Sequence, residues 1–551
     1  MIPVPTLRRV FGGGPFAEVG EPSVAVADDR SGLVAVGGDL GSLQWSGSGT
    51  AAAGWSGHRI GVYEPDGLRC RHLLRSSMPV RSLAFHPVLP LLAVGTGSYD
   101  GGHCFEGELL LVHLDTGEVV SALQHQREVL DLAWLSWTEL RVVLAPPDDW
   151  VDPEAWQQGH TAVVTRADWG AVGTRGVRAE EVDAPVAPYA RPDRAPRARR
   201  LLGDLAGAVG LDRSVRRRVW AVAGLPDGRV LAALDGVLVE CWLPSGQRQW
   251  AVGDEQGGRQ LLPAADGVSL WTNAGRRVRR TRTGWETSDP QVARVALDTG
   301  RVLGTVSAGE YAVLVAGGGK RLVLRPVEDS GGAERRLLMF EPDGTATKGP
   351  EVRGFDLFNH AFPMRRSSRP YVLVGTDPQW AHRGMWVAAV DADGTLRPLF
   401  PHSWVPQEHH VGGPAVEIGE SLVYAGSVHE PQGPSPGSSY VVRRSLDGEV
   451  LWEHRSDHRA TALDSDGGTV CVADNSGALT ALDAATGAVL WRTALTVGGV
   501  PACALSLAVA PPGRLLLGTV DGRVLEYGRP AEAVAPSGAG PRVTSGSRPA
   551  P

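Results

Sequence analysis

Residues 469–495, TVCVADNSGALTALDAATGAVLWRTAL, place three strand-like runs and two tight turns in an unbroken stretch. Thr469 to Ala473 alternates β-branched with smaller residues. Asp474, Asn475 and Ser476 then tolerate positive φ, and Gly477 adopts it with no Cβ to clash, which marks a hairpin. Ala478 to Leu482 reads as a second strand, Thr486-Gly487 as a second turn, and Ala488 to Leu495, carrying Trp491, as a third strand. A meander this short cannot bury both of its faces alone, so it must stack on copies of itself.

The chain contains those copies. The outer turn recurs at Asp66-Gly67, Thr116-Gly117, Ser245-Gly246, Thr299-Gly300, Asp343-Gly344, Asp393-Gly394 and Asp447-Gly448. The inner strand recurs as LVAVGG at Leu33, LLAVGT at Leu91, VLAALD at Val230, YVLVGT at Tyr371, LVYAGS at Leu422 and LLLGT at Leu515. Repeats of roughly forty to fifty residues, each one a β-meander, predict an all-β propeller of four-stranded antiparallel blades.

Ten units can be traced, starting near Ser23, Val80, Val129, Val219, Arg259, Tyr311, Gly354, His410, Ala460 and Cys503. Three lie in residues 1–173, and seven lie in 219–529. Between them, 174–218 holds eleven Arg against six acidic residues and reads as a linker or insertion, with helical apolar spacing over Arg199–Val209. The last unit stops at Gly528 without an outer strand, while Thr6–Phe11 is a strand without a partner. The expectation is that the N-terminal strand completes the last blade and closes one continuous assembly of seven to ten blades. Residues 530–551, rich in Pro, Ser, Gly and Ala, read as a disordered tail.

Lys occurs only at 320 and 348 among 54 basic residues, so the abundance of Arg reads as a coding bias. A net charge of −7 argues against a surface that grips nucleic acid along its whole length. The five cysteines form no CxxC and no adjacent pair, which suits free thiols in a reducing compartment. With no signal-peptide core and no apolar run long enough for a membrane span, the expected location is cytoplasmic and the expected state monomeric.

The run LTALDAATG at Leu479 to Gly487, followed by Val489-Leu490-Trp491, resembles the repeat of quinoprotein-like (PQQ-type) β-propellers, and SLDGEVLW at Ser445 to Trp452 is a weaker copy. VRSLAFHP at Val80 resembles the opening strand of WD40-type repeats, although the Trp-Asp dipeptide is absent. The quinoprotein dehydrogenases would imply pyrroloquinoline quinone, calcium and a vicinal disulfide. No adjacent cysteines are present, so no cofactor is carried over. WD40-type members imply a platform for protein partners.

Motifs of catalysis are sparse. Gly317-Gly318-Gly319-Lys320 lacks the flanking Gly and Ser/Thr of a phosphate loop, and GxSxG, HExxH and metal-finger spacings do not occur. His402, His409, His410, His429, His454 and His458, with Glu408 and Glu430, form a histidine-rich stretch that would hold a metal only if its loops shared one rim. Arg276, Arg277, Arg279, Arg280 and Arg282 form an anion-binding candidate, extended by Arg216 to Arg218, Arg365, Arg366 and Arg369; the alternative is a solvated outer hairpin.

The insertion carrying Asp148, Asp149, Trp150, Asp152, Glu154 and Trp156 places two tryptophans among acids and reads as a partner-binding loop. Trp380, Trp386 and Trp404 are further candidates of the same kind. The resulting expectation is a non-catalytic scaffold that binds an unidentified protein partner through rim loops. Two alternatives stay open. One is an enzyme or ligand binder in the central channel, where Asp39, Asp100, Asp235, Asp377, Asp474 and Asp521 would converge. The other is a phosphate or nucleic-acid binder through the Arg clusters.

Overall fold

Each Thr-Gly turn seats a ring from the sheet before it. In the computed structural model, which describes residues 4–528 except 42–51, 53–54, 56, 151, 153, 212, 276–277, 282–283, 288–290, 310, 318–320, 328–335, 342–343, 353–359, 376–383, 406–407, 430–434 and 512, Gly487 has φ +73°. A Cβ at Gly487 would lie 2.7 Å from Trp452 Cδ2. Gly300 stands in the same relation to Trp250, and Gly117 to His72. Two demands, positive φ and a close approach, therefore select glycine at the outer turn. The polar atoms repeat as well: Trp452 Nε1 donates to Ala484 O at 2.8 Å, and His72 Nε2 lies 2.7 Å from Leu114 O, each carbonyl three residues before its glycine.

Ten sheets of three or more strands follow one another among the described residues, spanning 21–76, 80–121, 129–188, 219–253, 258–306, 312–351, 371–401, 410–456, 460–494 and 504–528. Strand Thr6–Phe11 pairs antiparallel with Val524–Gly528, Thr6 opposite Gly528 and Phe11 opposite Val524, and so lies as the fourth strand of the tenth sheet.

Buried clusters show which sheets touch. Counting sheets in chain order, Val239 of the fourth packs with Leu261 of the fifth, and Val292 of the fifth with Leu324 of the sixth. Met339 of the sixth meets Val372 of the seventh, and Leu373 of the seventh meets Tyr424 of the eighth. Trp452 of the eighth shares a cluster with Val470 of the ninth, and Leu479 of the ninth with Leu517 of the tenth. The tenth returns to the fourth through Phe11, Leu516, Val219 and Ala232. Seven sheets thus close a ring.

The three N-terminal sheets stand outside that circuit, which differs from the single continuous assembly expected from the sequence. Ile60 packs on Val94 between the first and second, and Leu111 on Val142 between the second and third. An open array leaves two end faces to cover, and the chain covers both. Ala198, Leu202 and Ala206 of helix Ala195–Ala208 lie on Val34, Val36 and Tyr63 of the first sheet. Phe105, Ala155 and Tyr189 lie on Leu130 and Val143 of the third.

The Arg-rich stretch between the two bodies is a strap. Arg191 Nη1 donates to Glu128 Oε2 at 2.7 Å, and Arg194 donates to Asp131 Oδ1 at 2.5 Å and to Arg81 O at 3.1 Å. The strap thereby leads from the third sheet to the helix on the first. Pro196 sits in the first turn of that helix, where its missing N–H costs nothing, so the helix begins a turn earlier than Arg199.

The three N-terminal sheets with their strap, the wing, meet the ring at a buried charge cluster. Arg523 donates to both oxygens of Asp521 at 3.0 and 2.6 Å and to Glu18 at 3.2 Å, while Arg59, 1% exposed, donates to Glu18 O and Trp55 O. Trp55 Nε1 donates to Asn475 O at 2.6 Å. Leu40, Ala52 and Trp55 of the wing complete the seam against Cys503, Leu505 and Val520 of the ring.

Candidate functional site

The insertion between strands Glu139–Leu144 and Gln158–Thr165 is built onto its own wing. It is anchored on the hairpin Ser98–Tyr99/Phe105–Glu106, a separate two-stranded sheet in the connection between strands Leu91–Thr96 and Leu109–His113 of the second sheet. Cys104 and Asp148 pair as an isolated antiparallel bridge, and Asp149 N donates to His103 O at 3.0 Å. Asp149 accepts from Tyr99 Oη at 2.9 Å and lies 2.8 Å from His103 Nδ1. The His103 bond holds the Asp149 carboxyl below its ordinary value. Asp100 takes three backbone N–H groups, from Gly102, His103 and Cys104, which fixes the hairpin tip.

These contacts leave tryptophan in water. Trp150 is 68% exposed and Trp156 55%, although His103 lies against Trp150 with ring centroids 3.8 Å apart. Buried Ala155 pins the base of the loop, Asp152 accepts from Glu154 N at 2.9 Å and Gln158 Nε2 at 2.5 Å, and Trp156 O accepts from Arg191 of the strap at 2.8 Å. The two indoles are thus exposed beside carboxylates in a loop tied down at both ends.

The other tryptophans do not join it. Trp404 is packed in the ring against His410 (4.3 Å) and Tyr440 (4.9 Å), with Nε1 on Glu453, so its ring is committed to the eighth sheet. Trp386 is a half-buried residue of strand Trp386–Val390 in the seventh. Trp380 lies outside the described residues.

The histidine stretch separates into unlike environments. His402 is fully buried and stacks on Tyr424 at 5.2 Å, and neither of its ring nitrogens has a hydrogen-bond partner among the described residues. His410 lies 2.5 Å from Glu408, and His409 faces His429 at 5.5 Å. Glu430 lies outside the described residues, and no group of three His, Cys, Asp or Glu side chains suited to a metal occurs among those described.

Burial pushes the His402 imidazole well below its ordinary value, and the neighbouring His410, Arg444 and His360 add to this. Neutral His402 therefore belongs to the folded state and its charged form to the unfolded one. Stability is expected to decline as pH falls below about 6.5, by roughly 1.4 kcal/mol per pH unit from this group. Melting curves between pH 7 and 5 should show a shallower slope for His402→Phe; an unchanged slope assigns the loss to other groups.

Of the arginine candidates, Arg279 and Arg280 lie on strand Val278–Thr281, with their side chains outside the described residues, as are Arg276, Arg277 and Arg282. The remaining arginines are tied to partners within the fold, Arg216 buried and Arg366 exposed. Arg216 forms a buried bidentate pair with Glu240 at 2.9 and 2.5 Å, Arg218 pairs with Asp235, Arg365 with Asp464, Arg366 with Ser465 O, and Arg369 with Asp391. The candidate aspartates are likewise engaged apart from one another: Asp39 beside His58, Asp100 in its wing hairpin, Asp235 under Arg218, Asp474 under Arg492 and Asp521 under Arg523. Asp377 lies outside the described residues.

Residues 438–528 match a sequence family described as outer membrane protein assembly factor BamB. No curated protein matches the chain. Among solved structures, one of U3-55K is 11% identical and aligns over 57% of this chain and 97% of its own with a TM-score of 0.41. A crystal structure of the RRP9 WD40 repeats gives the same identity and TM-score, covering 57% and 96%. The ring of meander sheets makes this chain a β-propeller protein, and residues 438–528, from within the eighth sheet to the end of the tenth, are similar to the repeats of that family.

Proposed function

We propose that the chain is a non-catalytic binding platform whose contact surface is the aromatic and acidic patch of the wing, formed by Tyr99, His103, Asp149, Trp150 and Trp156. The carrying observation is that Trp150 and Trp156 remain 68% and 55% exposed in a loop whose backbone and carboxylates are tied down. Exposed tryptophan held in one geometry loses little conformational freedom on binding, and such rings supply hot-spot energy. Asp148, Asp149, Asp152 and Glu154 set the partner's chemistry as a basic segment, whose guanidinium or ammonium groups stack on indole and pair with carboxylate.

Affinity purification of the tagged protein from its own cells, wild type beside Trp150→Ala/Trp156→Ala, tests this reading. A stoichiometric basic protein is expected with the wild type. The double variant, with each truncation costing about 2 kcal/mol, should lose it while keeping the wild-type melting temperature. Equal recovery with both proteins would remove the patch from consideration.

A further inference from the structure

The ring encloses a second feature, independent of the wing. The first strands of five of its sheets, Val219–Gly224, Gly258–Pro263, Ala312–Val315, Ala460–Ser465 and Ala504–Ala510, and not second strands such as Val230–Leu234 that the sequence marks as inner, bound with residues 360–365 a cavity of about 180 Å³. Most of its wall is apolar, including Leu261, Val313, Phe362, Leu463 and Leu505. Polar side chains on the same strands are turned to the protein itself. Gln260 bridges to both the N–H and the C=O of Leu314 at 2.7 and 3.1 Å, Thr461 Oγ1 donates to Ala473 O, and Ser506 Oγ donates to Val219 O.

Three arginines, Arg259, Arg325 and Arg365, break the apolar lining, and Arg259 and Arg365 each belong to a triad with a net positive charge. Arg259 lines the cavity, lies over the Trp220 ring at 4.7 Å and donates to Asp235 Oδ1 at 2.7 Å; Arg218 uses the other oxygen of the same carboxylate. Arg365 also lines it and donates to Asp464 Oδ2 at 2.5 Å, while Arg366 lies 3.9 Å from the other oxygen. Asp464 Oδ2 takes the Val509 N–H as well, which spends its remaining capacity. Two guanidiniums on one carboxylate carry a formal charge of +1, and this holds on both sides. Glu417, behind the cavity-lining Tyr371, is engaged by Tyr371 Oη at 2.7 Å and by Ser368 Oγ at 2.6 Å.

We propose that this cavity is a binding site for a small carboxylic acid with an apolar, ring-sized body, its carboxylate on Arg259 or Arg365 and its body against the side chains of these first strands. The guanidinium fork matches a carboxylate oxygen pair, and low-dielectric walls strengthen the interaction. Size sets the class: a void of roughly 150 Å³ takes benzene, so the cavity accommodates one ring and a short acid arm. Inorganic phosphate would satisfy the charge but leave the apolar wall uncovered.

Calorimetric titration of the full chain with benzoate and 3-phenylpropanoate, beside benzamide and inorganic phosphate, is the test. One acid is expected to bind at a single site, with benzamide and phosphate weaker by roughly tenfold or more. Arg365→Met should weaken the acid by a similar factor. Val313→Phe, which leaves both triads in place and fills the cavity, should abolish binding at an unchanged fold by circular dichroism. The proposal is overturned if neither acid binds at about 10 mM, if benzamide binds as tightly as the acids, or if binding survives in the folded Val313→Phe variant.

Discussion

Asp521→Ala is expected to lower the unfolding free energy by about 3–5 kcal/mol. The carboxylate is 0% exposed and accepts two hydrogen bonds from Arg523 and one from Thr519 Oγ1 at 2.5 Å. Burial alone would raise its pKa, but Arg523 outweighs that and holds the carboxyl below its ordinary value, with Arg59 contributing in the same direction. Removing the carboxylate leaves two buried guanidiniums at the seam of wing and ring, with Glu18 as their remaining named counter-charge. Urea unfolding followed by tryptophan fluorescence gives the loss directly. Asp521→Leu/Arg523→Leu, which takes out the pair together, should be less damaging than Asp521→Ala, because no orphan charge of that pair stays behind. A loss below about 1 kcal/mol in Asp521→Ala would show that water reaches the seam.

The second large effect is expected in the strap. Glu128 is 0% exposed and holds Arg81 Nε at 3.0 Å and Arg191 Nη1 at 2.7 Å. Glu128→Gln keeps the shape and removes the charge from both hydrogen bonds, at an expected cost of about 2–4 kcal/mol. Because the two arginines are partly exposed and rehydrate, the damage should fall on the strap more than on the sheets. Limited trypsin digestion checks this: cleavage after Arg194 and Arg197 should accelerate roughly tenfold or more relative to wild type, while the ring fragment persists. Uniform acceleration at all sites would instead mean that Glu128 supports the whole fold.

The local grammar of this fold is written in the sequence, and its global closure is not. Thr-Gly and Asp-Gly turns marked the step into each outermost strand because backbone geometry alone demands those residues, and nearly every sheet begins within two residues of its expected start. Ten stackable units carry no statement of which face meets which. The return of the tenth sheet to the fourth depends on Phe11, Val219 and Leu516, ordinary apolar residues far apart in the chain. Arg191 and Arg194 were hidden for the opposite reason: in a chain that uses Arg almost exclusively, pairing with Glu128 and Asp131 some sixty residues earlier leaves no compositional trace. The exposure of Trp150 and Trp156 was legible because a tryptophan flanked by acids has no sheet pattern to serve. Trp404 carried the same local appearance, yet its position beside the aromatic core of the eighth sheet makes it a packing residue.

The pairing of Thr6–Phe11 with Val524–Gly528 also sets an order of events during synthesis. The first strand leaves the ribosome some five hundred residues ahead of its partner, a wait of about half a minute to two minutes at ordinary elongation speeds. Throughout that interval Phe11 has no ring to enter, whereas the three wing sheets and their strap can already assemble. The nascent chain therefore carries an unpaired strand edge next to a finished wing, and a chaperone that shields such edges has its longest window of use on this one segment.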